Sequence, residues 1–280
     1  MVKKLIVVFL LGYSALFAES QQFVQERSLQ SVIKSFIGES RYARNKSFIR
    51  VIFSPQSRYY DGSDVRTLKV LRTLKANGLL RLKFSKPKTF HLHFKTQGSA
   101  LLFVKIMSET LREIGYYRYV TTGSSLEDDT FTWSISINAE SMTDPLVLAS
   151  HLSKNRARVV DVEKASYLDW NYYVDISRAS LRVPALIPGK SYEIKRALYP
   201  EWFNVAQAGS VSLSSNGGNN WYPYIAFYDR DLQLLQVIKE DNVVRNKSYK
   251  ITPGAKYMKI GDLYTMKNMK YGLTVTPHSY

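Results

Sequence analysis

Thr130-Phe131-Thr132-Trp133-Ser134-Ile135-Ser136-Ile137 alternates aromatic or aliphatic side chains with hydroxyls. Successive side chains of a strand point to opposite faces, so the stretch predicts a strand with the apolar members inward and Thr and Ser outward. One face of its sheet is therefore solvated or meets a partner. Just before it, Glu127-Asp128-Asp129 is an acidic turn, and Tyr116-Tyr117-Arg118-Tyr119-Val120 reads as the other arm of a hairpin. Before that, Ala100 to Ile114 has helical spacing and stops at Gly115, a residue type that closes helices in the left-handed conformation.

The same order of helix, strand, turn and strand recurs on either side. Asp64 to Ala76 is followed by Asn77-Gly78, Leu79-Leu80-Arg81-Leu82, a turn at Lys86-Pro87-Lys88 and Phe90-His91-Leu92-His93-Phe94. Asp144 to Lys154 is followed by Asn155, Arg156-Ala157-Arg158-Val159-Val160, a turn near Ser166 and Trp170 to Ile176. Aligned on Gly78, Gly115 and Asn155, the units are spaced by about 40 residues, within the range of structural repeats. A single α+β domain in which helices and hairpins merely alternate fits the same residues. Small αββ modules of this kind resemble those of periplasmic ring-forming and secretion proteins, a likeness of architecture that carries no motif. Further upstream, Phe23 to Phe36 predicts a short amphipathic helix stopped by Gly38, and Ser47 to Phe53 a strand.

Helix signals end near Val183-Pro184. Short apolar segments then follow at close intervals: 191–194, 202–205, 210–213, 224–228, 234–238, 248–251, 257–260 and 272–275, punctuated by Gly217-Gly218, Asp229, Pro253-Gly254 and Pro277. That spacing predicts an antiparallel jelly-roll-like β-sandwich. The expected fold is thus α+β, with αββ units over residues 19–182 and a β-sandwich over 183–280.

Within the second half, Trp202-Phe203-Asn204-Val205, Gly209-Ser210-Val211-Ser212-Leu213 and Pro223-Tyr224-Ile225-Ala226-Phe227-Tyr228-Asp229 follow one another. This order resembles the sandwich of bacterial pre-peptidase C-terminal domains and of the maltose-operon periplasmic protein family, over roughly residues 190–260. The resemblance implies an extracytoplasmic, non-catalytic accessory domain, in some members with affinity for sugar or polymer. No protease precedes the sandwich here, which departs from the peptidase association.

The N-terminus has Lys3 and Lys4, an apolar core from Leu5 to Leu11, and Leu16-Phe17-Ala18, the three-part pattern of a secretory signal cleaved after Ala18. Its apolar run is too short to cross the roughly 30 Å hydrocarbon layer, which takes about 20 apolar residues; an uncleaved anchor is the alternative. Periplasmic residence is expected, with no later transmembrane span. The chain's net charge of +16 falls to about +14 without residues 1–18. Such a field favours anionic surfaces such as lipid phosphates, peptidoglycan carboxylates, acidic proteins or nucleic acid, unless the whole source proteome is basic. Zero cysteines exclude disulfides, thiol catalysis and a lipid-modified cysteine.

The loop Asn216-Gly217-Gly218-Asn219-Asn220-Trp221-Tyr222 is the foremost ligand-site candidate. Sugar recognition stacks a ring on an aromatic face and bonds its hydroxyls to amides; Trp221, Tyr222, Asn219 and Asn220 offer both, and Trp202 and Tyr224 extend the platform. The competing expectation is a glycine-rich hairpin whose Trp221 turns into the sandwich. Asp229 and Asp231, with Asp262 further on, form a weak calcium candidate, though such pairs commonly cap their own turn. His91 and His93 share a strand face at metal-binding spacing but lack nearby acids to complete a shell. Arg41, Arg44, Lys46 and Arg50, with Arg66, Lys69, Arg72 and Lys75 on the first unit's helix, make either a phosphate-binding stripe or a solvated surface; Lys69, Arg72 and Lys75 recur every three residues and so share a face. No Gly-x-Ser-x-Gly elbow or His-Glu-x-x-His motif occurs. The expectation is a non-enzymatic protein without cofactor, a scaffold or interaction component of the envelope with other envelope proteins as partners. A peptidoglycan- or polysaccharide-binding accessory protein is the alternative, and nucleic acid is not an expected partner.

Overall fold

The computed structural model describes residues 27–279, so the expected signal segment lies outside the described residues. The chain is mixed α+β. Its elements run α1 Leu29–Ile37, α2 Glu39–Arg44, α3 Lys46–Ile52, β1 Tyr60–Asp61, β2 Asp64–Val65, α4 Thr67–Ala76, β3 Lys83–Gln97, α5 Ala100–Glu113, β4 Val120–Glu127, β5 Thr130–Ser141, α6 Pro145–Ser153, β6 Arg158–Lys164 and β7 Asp169–Asp175. Then come β8 Tyr192–Ile194, β9 Glu201–Asn204, β10 Ser210–Ser215, β11 Pro223–Tyr228, β12 Leu234–Lys239, β13 Asn246–Lys250, β14 Tyr257–Asp262 and β15 Leu273–His278. Among the described residues, no helix is long and apolar enough to cross a membrane.

Strand β5 is where the alternation was read: Trp133, Ile135 and Ile137 are buried while the hydroxyls between them are partly exposed. The acidic turn closes the β4–β5 hairpin with two residues, Asp128 and Asp129, both at positive φ (46° and 59°). That geometry matches the right-handed twist of the paired strands. Helices α5 and α6 start on side-chain caps. Ser99 Oγ accepts from Leu102 N at 3.2 Å and Asp144 Oδ1 from Leu146 N at 2.9 Å, each satisfying an N–H that the first turn leaves free.

The three units merge into one five-stranded sheet, ordered β4-β5-β3-β7-β6, rather than three separate modules. All its pairs are antiparallel except β3 with β7. One face packs on α4, α5 and α6 through residues such as Phe90, Leu92, Phe94, Trp133 and Tyr172, joined by Val70, Leu71, Phe103, Ile106 and Leu148 in a single core.

Several expectations are corrected here. The first unit is not a hairpin: Leu79 to Leu82 forms no strand, and residues 83–97 make one long strand across the expected Lys86-Pro87-Lys88 turn. Its partner β5 is long enough to pair at both ends, Lys83 with Ser141 and Lys88 with Ala139, and the intervening residues form an irregularity. A proline without an N–H is accommodated at such a place. The third unit closes not on Asn155 but on Arg156, at φ 58°. The Asn155 side chain is used elsewhere, its Oδ1 accepting from Arg182 N at 3.1 Å. Ser47 to Phe53 is helical as α3, because Ile49 and Phe53, four apart, both reach the core when the backbone coils.

Residues beyond 182 form two four-stranded sheets, ordered β13-β10-β15-β8 and β12-β11-β14-β9, with every pair antiparallel. Their inner faces share a second core containing Val211, Leu213, Ile225, Phe227, Met258, Ile260, Leu273 and Val275. Leu181 belongs to the first core and Leu186 to the second. The two halves touch. Leu232 and Tyr257 pack into the first core, Tyr257 Oη accepts from Leu181 N at 3.0 Å, and Ser99 Oγ donates to Asp231 O at 2.5 Å.

Candidate functional site

The loop expected to present a stacking platform instead anchors the second core. Trp221 is fully buried, and its Nε1 donates to Gly261 O at 2.8 Å. Asn219, also buried, donates from Nδ2 to Gly272 O at 2.7 Å and accepts at Oδ1 from Tyr271 N at 3.0 Å, tying the loop to the start of β15. Their expected ligand role is therefore corrected: both side chains spend their polar atoms on the fold and offer no face to solvent. Asn220 remains exposed, and Tyr222 meets the exposed Tyr264 edge to face at 5.0 Å.

Trp202 and Tyr224 lie elsewhere, on the outer face of the β12-β11-β14-β9 sheet. Trp202 stacks on Tyr228 at 4.9 Å, with Lys105 of α5 over it at 5.1 Å. Lys259 sits 5.8 Å from the Trp202 ring and 5.9 Å from Tyr224. Burial, with Lys105 nearby, holds the Lys259 ammonium below its ordinary pKa. These aromatics contribute to the junction between the halves and do not extend a surface around Trp221.

Asp229 Oδ1 accepts from Asp231 N at 2.9 Å and Gln233 N at 2.8 Å, and so caps its own turn. Asp262 does the same with Tyr264 N and Thr265 N, both at 2.8 Å. Among the described residues, no three His, Cys, Asp or Glu side chains are grouped to hold a metal.

The polar face of the five-stranded sheet carries a row across β7, β3 and β5. His93 Nδ1 lies 2.8 Å from Ser134 Oγ, and Nε2 lies 3.7 Å from Asp169 Oδ1. An acid, an imidazole and a hydroxyl in line suggest nucleophile activation, but acyl transfer also needs paired N–H donors aimed at the developing oxyanion. At the centre of a sheet those groups are committed to the ladder, so the row serves as a cross-strand polar contact.

The basic stripe of α4 is divided. Lys69 Nζ donates to Arg58 O at 2.9 Å, Lys75 pairs with Asp144, and Arg72 alone of the three is left to solvent.

A feature that sequence reasoning missed is the edge strand β4. All eight of its residues are exposed, with Val120 at 65 % and Leu126 at 70 %. Among the described residues it pairs only with β5, with an irregularity between Thr121 and Gly123. On the opposite edge strand, β6, only Arg158 and Val160 are exposed: Asp161 is buried, accepting from Thr67 Oγ1 of α4 at 2.5 Å and pairing with Arg27, and Lys164 Nζ donates to Phe36 O of α1 at 3.2 Å. Burial holds the Asp161 carboxyl above its ordinary pKa, against the opposing pull of Thr67 and Arg27. Edge strands are normally blunted by lysine, proline or a cover. Residues 120–126 of β4 contain neither lysine nor proline, and that composition was the available signal.

Comparison with protein-family models, curated proteins and solved structures returned no match.

Proposed function

We propose that the chain is a non-enzymatic protein of the cell envelope, exported to the periplasm, which acts as a scaffold or interaction component by accepting a partner strand on β4. The observation that carries this reading is that all eight residues of the β4 edge are exposed, whereas most of the opposite edge strand β6 is buried or half-buried. A strand at an open edge offers a row of unpaired N–H and C=O groups that an extended segment satisfies. The exposed Val120 and Leu126 supply apolar contacts beside that ladder.

The second half is read as a jelly-roll sandwich that braces the first. Sheet orders β13-β10-β15-β8 and β12-β11-β14-β9 support this, since successive strands cross between the sheets except at β11 and β12. Its contribution is a non-catalytic accessory domain, as the resemblance to pre-peptidase C-terminal and maltose-operon periplasmic domains implies. The carbohydrate reading keeps one supporting observation, the Tyr222–Tyr264 pair beside Asn220.

The test is affinity capture from crosslinked envelopes with the mature protein and a Val120→Lys/Leu126→Lys variant, folding being checked by circular dichroism. The reading expects captured proteins that depend on an uncharged edge. Identical capture by both forms would refute it. Retention on polysaccharide that disappears in Tyr264→Ala would favour the alternative.

A further inference from the structure

The positive charge of this protein is not spread evenly. Residues 27–97 carry sixteen Lys or Arg against three Asp or Glu, whereas residues 98–279 carry twenty-one against eighteen. Nearly all the net charge therefore belongs to the helical start of the chain and strand β3.

Part of it converges. Burial, with Arg81 after α4 and Arg44 of α2 close by, holds the Arg41 guanidinium of α2 below its ordinary pKa. Arg41 does the same to Lys164, again with burial as the larger cause. Arg41 Nη1 donates to Leu79 O at 3.1 Å, which fixes the guanidinium without neutralising it. Among the described residues, no ion pair involves Arg41, Arg44, Lys46, Arg50, Arg81 or Lys164.

Two apolar side chains are exposed in the same stretch of chain. On α3, Phe48 is 45 % and Val51 69 % exposed, three apart and so on one face, while Ile49 faces the core. Lys46 and Arg50 belong to the same helix, and Arg44 precedes it by two residues.

We propose that the α2–α3 face docks on an anionic phospholipid bilayer. Cations near an anionic leaflet are attracted within a Debye length, and apolar side chains between them enter the boundary between headgroups and acyl chains. A surface that bound only soluble anions would have no use for Phe48 and Val51. The inference goes beyond the protein-contact reading and stands without it, because β4 takes no part in it.

The experiment is co-sedimentation of the mature protein with phosphatidylcholine vesicles, with and without about one third phosphatidylglycerol. Arg44→Glu/Arg50→Glu and Phe48→Ser/Val51→Ser are compared with the parent; all four positions are exposed, and folding is checked by circular dichroism. Binding is expected only with phosphatidylglycerol, to weaken with salt, to fall roughly tenfold or more on charge reversal, and to fall several-fold in the Ser variant. Equal binding to both vesicles, no binding to either, or binding that both variants retain would overturn the proposal. So would displacement by millimolar inorganic phosphate at constant ionic strength, which would mark a site for a small anion.

Discussion

Replacing Trp221 by Ala separates a buried anchor from an exposed platform. The ring is fully buried in the second core and its Nε1 bonds Gly261 O at 2.8 Å. Removing a buried Trp or Phe side chain costs about 3–5 kcal/mol, and stranding the Gly261 carbonyl adds about 1 kcal/mol. The sum is a large share of the roughly 5–15 kcal/mol that keeps a domain folded. An exposed stacking residue would cost about 0.5 kcal/mol. Urea unfolding followed by far-ultraviolet circular dichroism reads the difference. With a slope of about 2 kcal/mol per molar, the midpoint should drop by about 2 M, or the second half should fail to fold. A drop under about 0.5 M would refute the buried placement. Tyr264→Ala, at an exposed position, should leave the midpoint within that margin.

Three further outcomes are expected. Gly272 and Gly254 share nearly the same φ (86° and 81°), but a Cβ on Gly272 would sit 2.1 Å from Ile194 O whereas one on Gly254 meets nothing within 4 Å. Gly272→Ala should therefore cost about 4 kcal/mol or more and Gly254→Ala about 1 kcal/mol, measured by calorimetry. Asp129→Gly in the β4–β5 turn should stabilise by about 0.5 kcal/mol in urea titration, because its φ of 59° favours glycine. Burial raises the Asp161 carboxyl above its ordinary 3.8, so its contribution is fully present below that value and is lost as pH rises through the folded pKa. The unfolding free energy of the parent relative to Asp161→Asn should accordingly fall as pH climbs from about 4, and a rise over that window would contradict the burial.

Local periodicity carried the fold where the pairing partner was close in sequence. The alternation at Phe131 to Ile137, the turn at Asp128-Asp129 and the short strands after residue 190 all involve neighbours along the chain. It failed where a distant partner decided. The length of β3 depends on Ala139 and Ser141 of β5, far along the chain, so Lys86-Pro87-Lys88 looked like a turn until a long neighbour ran past it. Residues 47–53 are rich in β-branched and aromatic types, yet Ile49 and Phe53 reach the core only in a helix. Trp221 misled for a related reason. Its Gly- and Asn-rich surroundings suggest solvent, but Asn219 and Trp221 bond to the backbone of β14 and the segment leading into β15, a pairing no local pattern announces. Strand β4 was placed too early because residues 120–127 lack the apolar alternation that marks a covered strand, and their full exposure follows from that same lack.

The most direct test of the interaction reading is site-specific photo-crosslinking in cells, with the probe placed in turn at Ser125 on the exposed edge strand β4 and at the half-buried Glu163 on β6. Discrete adducts from Ser125 and none from Glu163 are predicted. Adducts of equal yield from both, or none from Ser125, would contradict the account.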